Sequence, residues 1–315
     1  MNYDTTQPDR TNPNNSMQVG VIDLKELINL LWSGKFLIIQ ITSVFILGSI
    51  FYSVNLNNYY RSEAILTVYE PAPQASGLTR ISGLASIAGV NISQSVNKGA
   101  LVTNTIWSRV FFKHLLSVDE NVLPSIMAAE SYDSEEKKLV FDSNIYDAVN
   151  KEWPRGKPTY IQAYQAYRGI IIADYDTVGS WIHLSAEHIS PIFAKEFLEL
   201  IIRESDNIIR QKDLKRSSEA LAYLTSEISR TSVLDIRSNI NQLILDQLQT
   251  QMTANISSNY VLNIVEPPFI PEKKSKPSRS LTILLGAMLG FVIGIVWILM
   301  RHYFALYSTK ATSGS

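Results

Sequence analysis

Two long apolar blocks, one near each end of the 315-residue sequence, place the strongest constraint on how this chain folds. Residues 36–54 and 281–300 contain no charged side chain. As a helix, each block would be about 30 Å long, which matches the hydrocarbon core of a bilayer. Core helices of soluble proteins are usually shorter and interrupted by polar residues, so both blocks are predicted to be transmembrane helices.

The segment before the first block is predicted to have two parts. Residues 1–20 are polar and rich in Asn, Pro, Thr and Asp, which is typical of a disordered tail. Residues 21–35 place apolar side chains at helical spacing, with Asp23 as N-cap and Glu26 three residues later, and predict an amphipathic helix at the membrane surface. So long a leader, with no small-residue cleavage site after the block, argues against a signal peptide.

Three glycines in the second block recur every four residues, at Gly286, Gly290 and Gly294, and therefore line one face of the helix. Inside a membrane such a smooth face lets another helix approach closely, and Gly48 and Ser49 offer a small patch on the first helix. The alternative is that glycine is simply common in spanning helices. We expect close packing through this face.

Between the two blocks, short strands alternate with helical segments. Glu63–Tyr69 shortly follows the first block and Tyr260–Val265 shortly precedes the second, so these two strands are expected to pair in one membrane-proximal sheet. Residues 169–174 and 181–186 predict two further strands around a turn at 176–180. The chain between the two blocks is therefore predicted to contain both strands and helices.

A long segment free of glycine and proline runs from Ile192 to Glu266. Apolar residues keep helical spacing up to about Thr253, which predicts one long helix over 192–253, roughly 90 Å in length if unbroken. The stretch Ser229–Ser232 is its weak point, because the apolar stripe shifts register there.

No catalytic chemistry is indicated by the residue pattern. The chain has no cysteine, which excludes a thiol nucleophile and Cys-ligated metals, and its formal net charge of −1 argues against nucleic-acid binding. His183 and His188 are expected on opposite faces of a strand, and Asp174 and Asp176 are read as turn residues. We therefore predict no catalytic residue, no cofactor and no metal, and a protein that is not an enzyme.

A proline-spaced segment precedes the second block, with Pro267, Pro268, Pro271 and Pro277 followed by Arg279. Such spacing favours extended backbone, which suits a stiff joint between domain and membrane. The basic residues between Lys273 and Arg279 suit lipid headgroups, a substrate or a plain interfacial anchor, and the sequence does not separate these roles. Flanking charges around the two blocks disagree with each other and leave the topology open.

Several segments in order resemble the polysaccharide co-polymerase family, in particular the chain-length determinants of O-antigen synthesis (the Wzz proteins). The resemblance covers nearly the whole chain from about residue 20. It is carried by IDLKELINLLWSGKFLI before and into the first block, KLVFDSNIYDAVNKEW at Lys138–Trp153, SPIFAKEFLELI at Ser190–Ile201, ALAYL at Ala220–Leu224 and NYVLNIVEPPFIPEKKSKPSR at Asn259–Arg279.

This resemblance implies an α+β fold, in which an α/β base near the membrane carries a long protruding helix and is flanked by the two transmembrane helices. It further implies a bacterial inner-membrane protein with both termini cytoplasmic, residues 55–280 in the periplasm, and protomers assembled as a ring-like homo-oligomer. The expected partners are an O-antigen polymerase, the growing polysaccharide and the lipid bilayer, and the expected role is regulation of O-antigen chain length. No catalytic residues are implied.

Two other functions fit a two-span protein. One is a capsule or exopolysaccharide export component of the same architecture, and the other is a membrane sensor. Residues 301–315 are expected to form only a short cytoplasmic tail, which leaves no room on this chain for a kinase or an output domain. The sensor alternative is therefore disfavoured, whereas the export alternative stays open.

Overall fold

The computed structural model describes residues 30–68, 97–230 and 232–312, which fall into two compact units. The first unit contains the described residues up to Leu56 and from Ser278 onward, and the second covers Asn57–Pro277. The predicted disordered tail at 1–20 and residues 21–29 of the predicted amphipathic helix lie outside the described residues.

The elements are numbered in chain order. The helices are α1 (Lys35–Val54), α2 (Lys98–Ile106), α3 (Arg109–Val118), α4 (Val122–Met127), α5 (Tyr160–Ile170), α6 (Pro191–Arg230), α7 (Leu234–Ile256) and α8 (Arg279–Thr312). The strands are β1 (Tyr59–Val68), β2 (Ala129–Asp133), β3 (Lys138–Phe141), β4 (Ile171–Asp176), β5 (Trp181–His188), β6 (Leu262–Glu266) and β7 (Lys274–Lys276).

The first unit is the pair of helices α1 and α8, which pack along each other. Lys35–Val54 and Arg279–His302 are both long and apolar enough to cross a membrane. Only 6% and 17% of their most apolar stretches are buried within the protein, so most of their apolar side chains face outward. A soluble core helix would bury this surface, whereas lipid covers it at no cost.

The second unit is built on an antiparallel sheet in the order β4-β5-β1-β6, with β7 also paired to β1. The predicted pairing of the strand after the first block with the strand before the second is confirmed, since Leu66 of β1 pairs with Ile264 of β6. The predicted hairpin around 176–180 is also confirmed, as β4 pairs with β5 from Ile171↔Ala186 to Asp176↔Trp181.

Helices cover one face of this sheet and form the core with it. Side chains alternate along each strand, so Leu66 on β1 and Ile182 on β5 point to the same interior and are fully buried. Phe197 and Ile201 of α6 pack into the same cluster and are also buried. Each such side chain contributes about 1.5–3 kcal/mol on burial, so sheet and helices stabilise one another and the α+β class is confirmed.

The long helix is present, but its predicted extent is wrong. Helix α6 has 40 residues, about 60 Å, and ends at Arg230 instead of continuing to residue 253. The start of α6 is explained by its local sequence. Ser190 caps the helix, because its Oγ accepts a hydrogen bond from the Phe193 N–H, and Pro191 occupies the first helical position.

Helix α7 returns along α6 as an antiparallel partner. The Gln251 side chain donates to Ser218 Oγ at 3.0 Å, and Arg210 near the other end donates to the Ser258 carbonyl at 2.7 Å. Ile240 and Ala254 of α7 are buried in this pairing. A single helix would leave the apolar stripes of both halves in water, so folding back at the polar stretch beginning at Ser229 is favoured.

His188 ties the end of β5 to two helices. Its Nε2–H donates to the Ser125 carbonyl of α4 at 2.8 Å, and its Nδ1 accepts from the Ser190 N–H at 3.1 Å, just before α6. The ring is buried beside Phe193, and this burial lowers the pKa of His188 to about 4. The imidazole is therefore neutral at physiological pH, and its protonation would break the bond from Ser190.

We predict that His188 makes the fold sensitive to acid. Between pH 6.5 and 4 the unfolded imidazole binds a proton and the folded one does not, so stability is lost as the pH falls, by on the order of 3 kcal/mol at pH 4. The His188→Gln variant should show a flatter dependence of unfolding free energy on pH over this range. Urea unfolding of the full chain in detergent, followed by circular dichroism, measures it.

His183→Gln is the matched control, because His183 lies on the opposite, exposed face of the same strand. It should keep the pH dependence of the unsubstituted protein. Equal slopes for the unsubstituted protein and His188→Gln would contradict the prediction.

Candidate functional site

The glycine face of α8 lies directly against α1. A Cβ placed on Gly286 would lie 2.5 Å from the Ser49 Cβ, and one on Gly290 would lie 3.0 Å from the Thr42 Cα. One on Gly294 would lie 3.2 Å from the Ile38 Cα. Approaches this short leave no room for larger side chains, which is how small residues let two membrane helices come together.

Only one of the two residues of the small patch expected on α1 contacts α8. Ser49 faces Gly286, but a Cβ on Gly48 would meet no atom within 4 Å. Gly48 is therefore oriented away from α8. Neighbouring residues on a helix point about 100° apart, so Ser49 can face α8 while Gly48 does not.

We predict that Gly290→Leu forces α1 and α8 apart. Since the chain lacks cysteine, the pair Ile38→Cys and Gly294→Cys can report the contact. The two Cβ atoms would be 3.5 Å apart, which suits an intrachain disulfide. Mild oxidation in membranes should form this disulfide efficiently, and adding Gly290→Leu should reduce its yield several-fold, as read by maleimide protection on a non-reducing gel.

Gly48→Leu in the same double-cysteine background is the control and should leave the yield unchanged. An undiminished disulfide in the Gly290→Leu protein would show that the glycine face does not set the spacing. A disulfide that links two chains would show that the contact is made between molecules.

The proline-spaced segment runs along β1 as a strap. Strand β5 occupies one edge of β1 from Tyr60 to Thr67, so β6 and β7 must both lie on the other edge. Residues 267–273 connect these two strands. Ser62 of β1 is fully buried, and its hydroxyl donates to the Phe269 carbonyl at 2.7 Å.

The four prolines of this segment differ in their surroundings. Pro268 and Pro271 are buried, Pro277 is half-buried and Pro267 is exposed. The two buried prolines flank Phe269 and Ile270, whose side chains are each 51% exposed. The strap is thus fixed to the sheet at three neighbouring points, while its apolar tip faces outward.

The Glu187 carboxylate on β5 links strand β1 to strand β7. Glu187 accepts from Arg61 of β1 at 2.8 Å and from Lys276 of β7 at 2.9 Å. Burial raises the pKa of Glu187, but the hydrogen bonds from Arg61 and Lys276 outweigh it and hold the pKa below its usual range. Lys276 therefore has a structural partner, and Lys274 likewise donates to Asn58 at 3.3 Å.

Sequence reasoning missed Glu187, since nothing near it in the chain points to Arg61 or Lys276. It also missed Asp206 on α6, which is buried and accepts hydrogen bonds from the backbone N–H groups of Tyr260, Val261 and Leu262. Arg210 pairs with the same carboxylate at 3.0 Å. Asp206 thereby fixes the base of the α6–α7 hairpin to the start of β6.

Within residues 30–68, 97–230 and 232–312, no group of three or more His, Asp or Glu side chains is arranged to hold a metal ion. His114 lies 2.8 Å from Glu204, and Arg203 contacts the other oxygen of the same carboxylate. Burial raises the pKa of Glu204, but these two partners leave it lowered. This arrangement is a paired structural carboxylate. The expected lack of cofactor and metal stays a prediction.

Residues 20–110 match the family model described as Wzz, chain length determinant protein. The match supports assigning the chain to the Wzz-type family. Within the Wzz-type match lie α1, β1 and α2, and therefore Ser62 and Arg61 of the strap region. The match does not extend to the glycine face of α8, nor to Glu187 and Lys276, which form an ion pair beside the strap.

Two solved structures are similar to this chain. A full-length bacterial polysaccharide co-polymerase is 16% identical, with a TM-score of 0.41, over 90% of this chain and 99% of that chain. A fragment of WzzB, a polysaccharide co-polymerase from Salmonella Typhimurium, is 13% identical, with a TM-score of 0.29, over 70% of this chain and 100% of that chain. Both TM-scores are below 0.5. No curated protein matches the chain.

Proposed function

We propose that this protein regulates the chain length of the O-antigen of lipopolysaccharide, as a polysaccharide co-polymerase that acts with a membrane O-antigen polymerase. The observation that carries the proposal is the match of residues 20–110 to the chain-length-determinant model. The architecture agrees with it, because two candidate membrane helices enclose one α+β domain in the sequence. The chain acts as a regulator, and the polymerase supplies the chemistry.

The proposed location is the bacterial inner membrane, with both termini in the cytoplasm and residues 55–280 in the periplasm. Two spans return the chain to the side on which it began. Lys25 precedes the first span and Lys35 is its first residue, which favours a cytoplasmic N-terminus. The basic residues 273–279 favour the opposite arrangement, but a domain of this length translocates largely regardless of nearby charge.

The protein is proposed to assemble side by side with copies of itself, and an apolar stripe on α7 supports this. The stripe lies on the face opposite the buried Ile240 and Ala254. Its members are all exposed, and they are Leu234, Leu245, Leu248, Met252 and Ile256. A row of large apolar side chains on an outer helix face marks an interaction surface more often than a solvated one.

We predict that Leu248→Glu weakens the assembly, because a buried, unpaired carboxylate is costly at an apolar interface. The loss should be about 2 kcal/mol, or roughly thirtyfold in the dissociation constant. Light scattering of the detergent-purified full chain at several concentrations measures the molar mass.

Val178→Glu is the matched control, since Val178 is 94% exposed in the β4–β5 turn and lies off the stripe. Its assembly should equal that of the unsubstituted protein. An unchanged molar mass for Leu248→Glu at every concentration would remove the stripe as the interface.

The proposed function is tested by the lipopolysaccharide profile of cells with and without the gene. Loss of the gene should convert a ladder with a preferred length into a smooth decay of sizes, and a plasmid copy should restore the preferred length. An unchanged ladder together with lost capsule or secreted polymer would instead support an export component and refute the O-antigen role.

A further inference from the structure

The tip of the strap, Phe269 and Ile270, is an exposed apolar pair on a rigid support. Each side chain is half exposed, while Pro268 and Pro271 on either side are buried against the domain. The buried Ser62 hydroxyl holds the Phe269 carbonyl, so the tip cannot turn inward without breaking this bond. A pair of adjacent large apolar side chains held outward in this way calls for a partner.

The chain itself limits where this tip can lie. Only residues 55–58 separate α1 from β1, and only residues 277–278 separate β7 from α8. Tyr59 pairs with Lys276, so both links to the membrane leave from one end of the sheet. At about 3.5 Å per residue, neither link reaches far, and Ser62 is only about 10 Å along β1 from Tyr59. The tip is thus covalently confined to the neighbourhood of the bilayer surface.

The charge around the tip also suits a phospholipid surface. Segment 269–279 contains four basic residues and one acidic residue, Glu272. Lys276 is paired with Glu187 and Lys274 with Asn58, whereas Lys273 is exposed and has no hydrogen bond or ion pair within the described parts of the chain. Lys273 lies close enough in sequence to Ile270 to place its ammonium at the phosphates while the apolar pair goes deeper.

We propose that Phe269 and Ile270 insert at the boundary between headgroups and acyl chains of the bilayer that holds α1 and α8, with Lys273 at the lipid phosphates. A protein partner is disfavoured by size, because two side chains bury far less than the roughly 1,000 Å² that a specific interface needs. A bilayer contact has no such threshold, since the two membrane helices already anchor the chain. This contact is independent of the proposed role in polysaccharide length.

Spin labelling of the full chain tests the contact directly. Because the chain lacks cysteine, Ile270→Cys can carry a single nitroxide in vesicles of three parts phosphatidylcholine and one part phosphatidylglycerol. The ratio of collisions with apolar oxygen to collisions with a water-soluble nickel complex should be several-fold higher at position 270 than at Val178→Cys or Val149→Cys. Those controls are 94% and 91% exposed in the same domain.

A ratio at position 270 equal to that of the two controls would overturn the proposal. Protection of position 270 that persists in detergent and grows with protein concentration would assign the tip to a second copy of the chain and overturn it as well. In the same vesicles, Lys273→Glu should lower the ratio at position 270, and no change would remove Lys273 from the contact.

Discussion

Strand β1 is the element on which the rest of the second unit depends, because it is hydrogen-bonded along both edges. It pairs with β5 over Tyr60–Thr67 on one side and with β6 and β7 on the other. Its buried Leu66 meets the helices of the core, and its buried Ser62 holds the strap. A central strand of this kind brings together segments that are some two hundred residues apart in sequence.

This pairing has a direct consequence for the membrane connections. The residues that follow α1 and those that precede α8 meet as neighbouring strands, and Glu187 fixes Arg61 and Lys276 to the same point. In the first unit, the glycine face independently brings α1 and α8 into contact. Each unit therefore holds the beginning and the end of the chain together by its own interactions, backbone pairing in one and close helix packing in the other.

Most features that the sequence predicted correctly are encoded over short distances. The long-range β1–β6 pairing is the exception, and it was predicted from the position of each strand beside an apolar block. Uncharged apolar runs are sufficient to identify α1 and α8, and period-two alternation is sufficient for β4 and β5. The α6–α7 hairpin was not predicted because its turn contains neither glycine nor proline. The contact that reveals it, from Gln251 to Ser218, joins residues that are far apart in the sequence. The roles of Asp206 and Glu187 were also missed, because only the fold brings their hydrogen-bond partners close to them.

In the proposed topology, two spans place one α+β domain on a single side of the membrane, opposite both termini. Sided labelling of Ser134→Cys in the β2–β3 turn and Ser308→Cys near the C-terminus tests it most directly, with a membrane-impermeant maleimide on spheroplasts. With the domain in the periplasm, position 134 should be labelled in intact spheroplasts, and position 308 only after permeabilisation. Labelling of position 308 from outside, or protection of position 134, would contradict it.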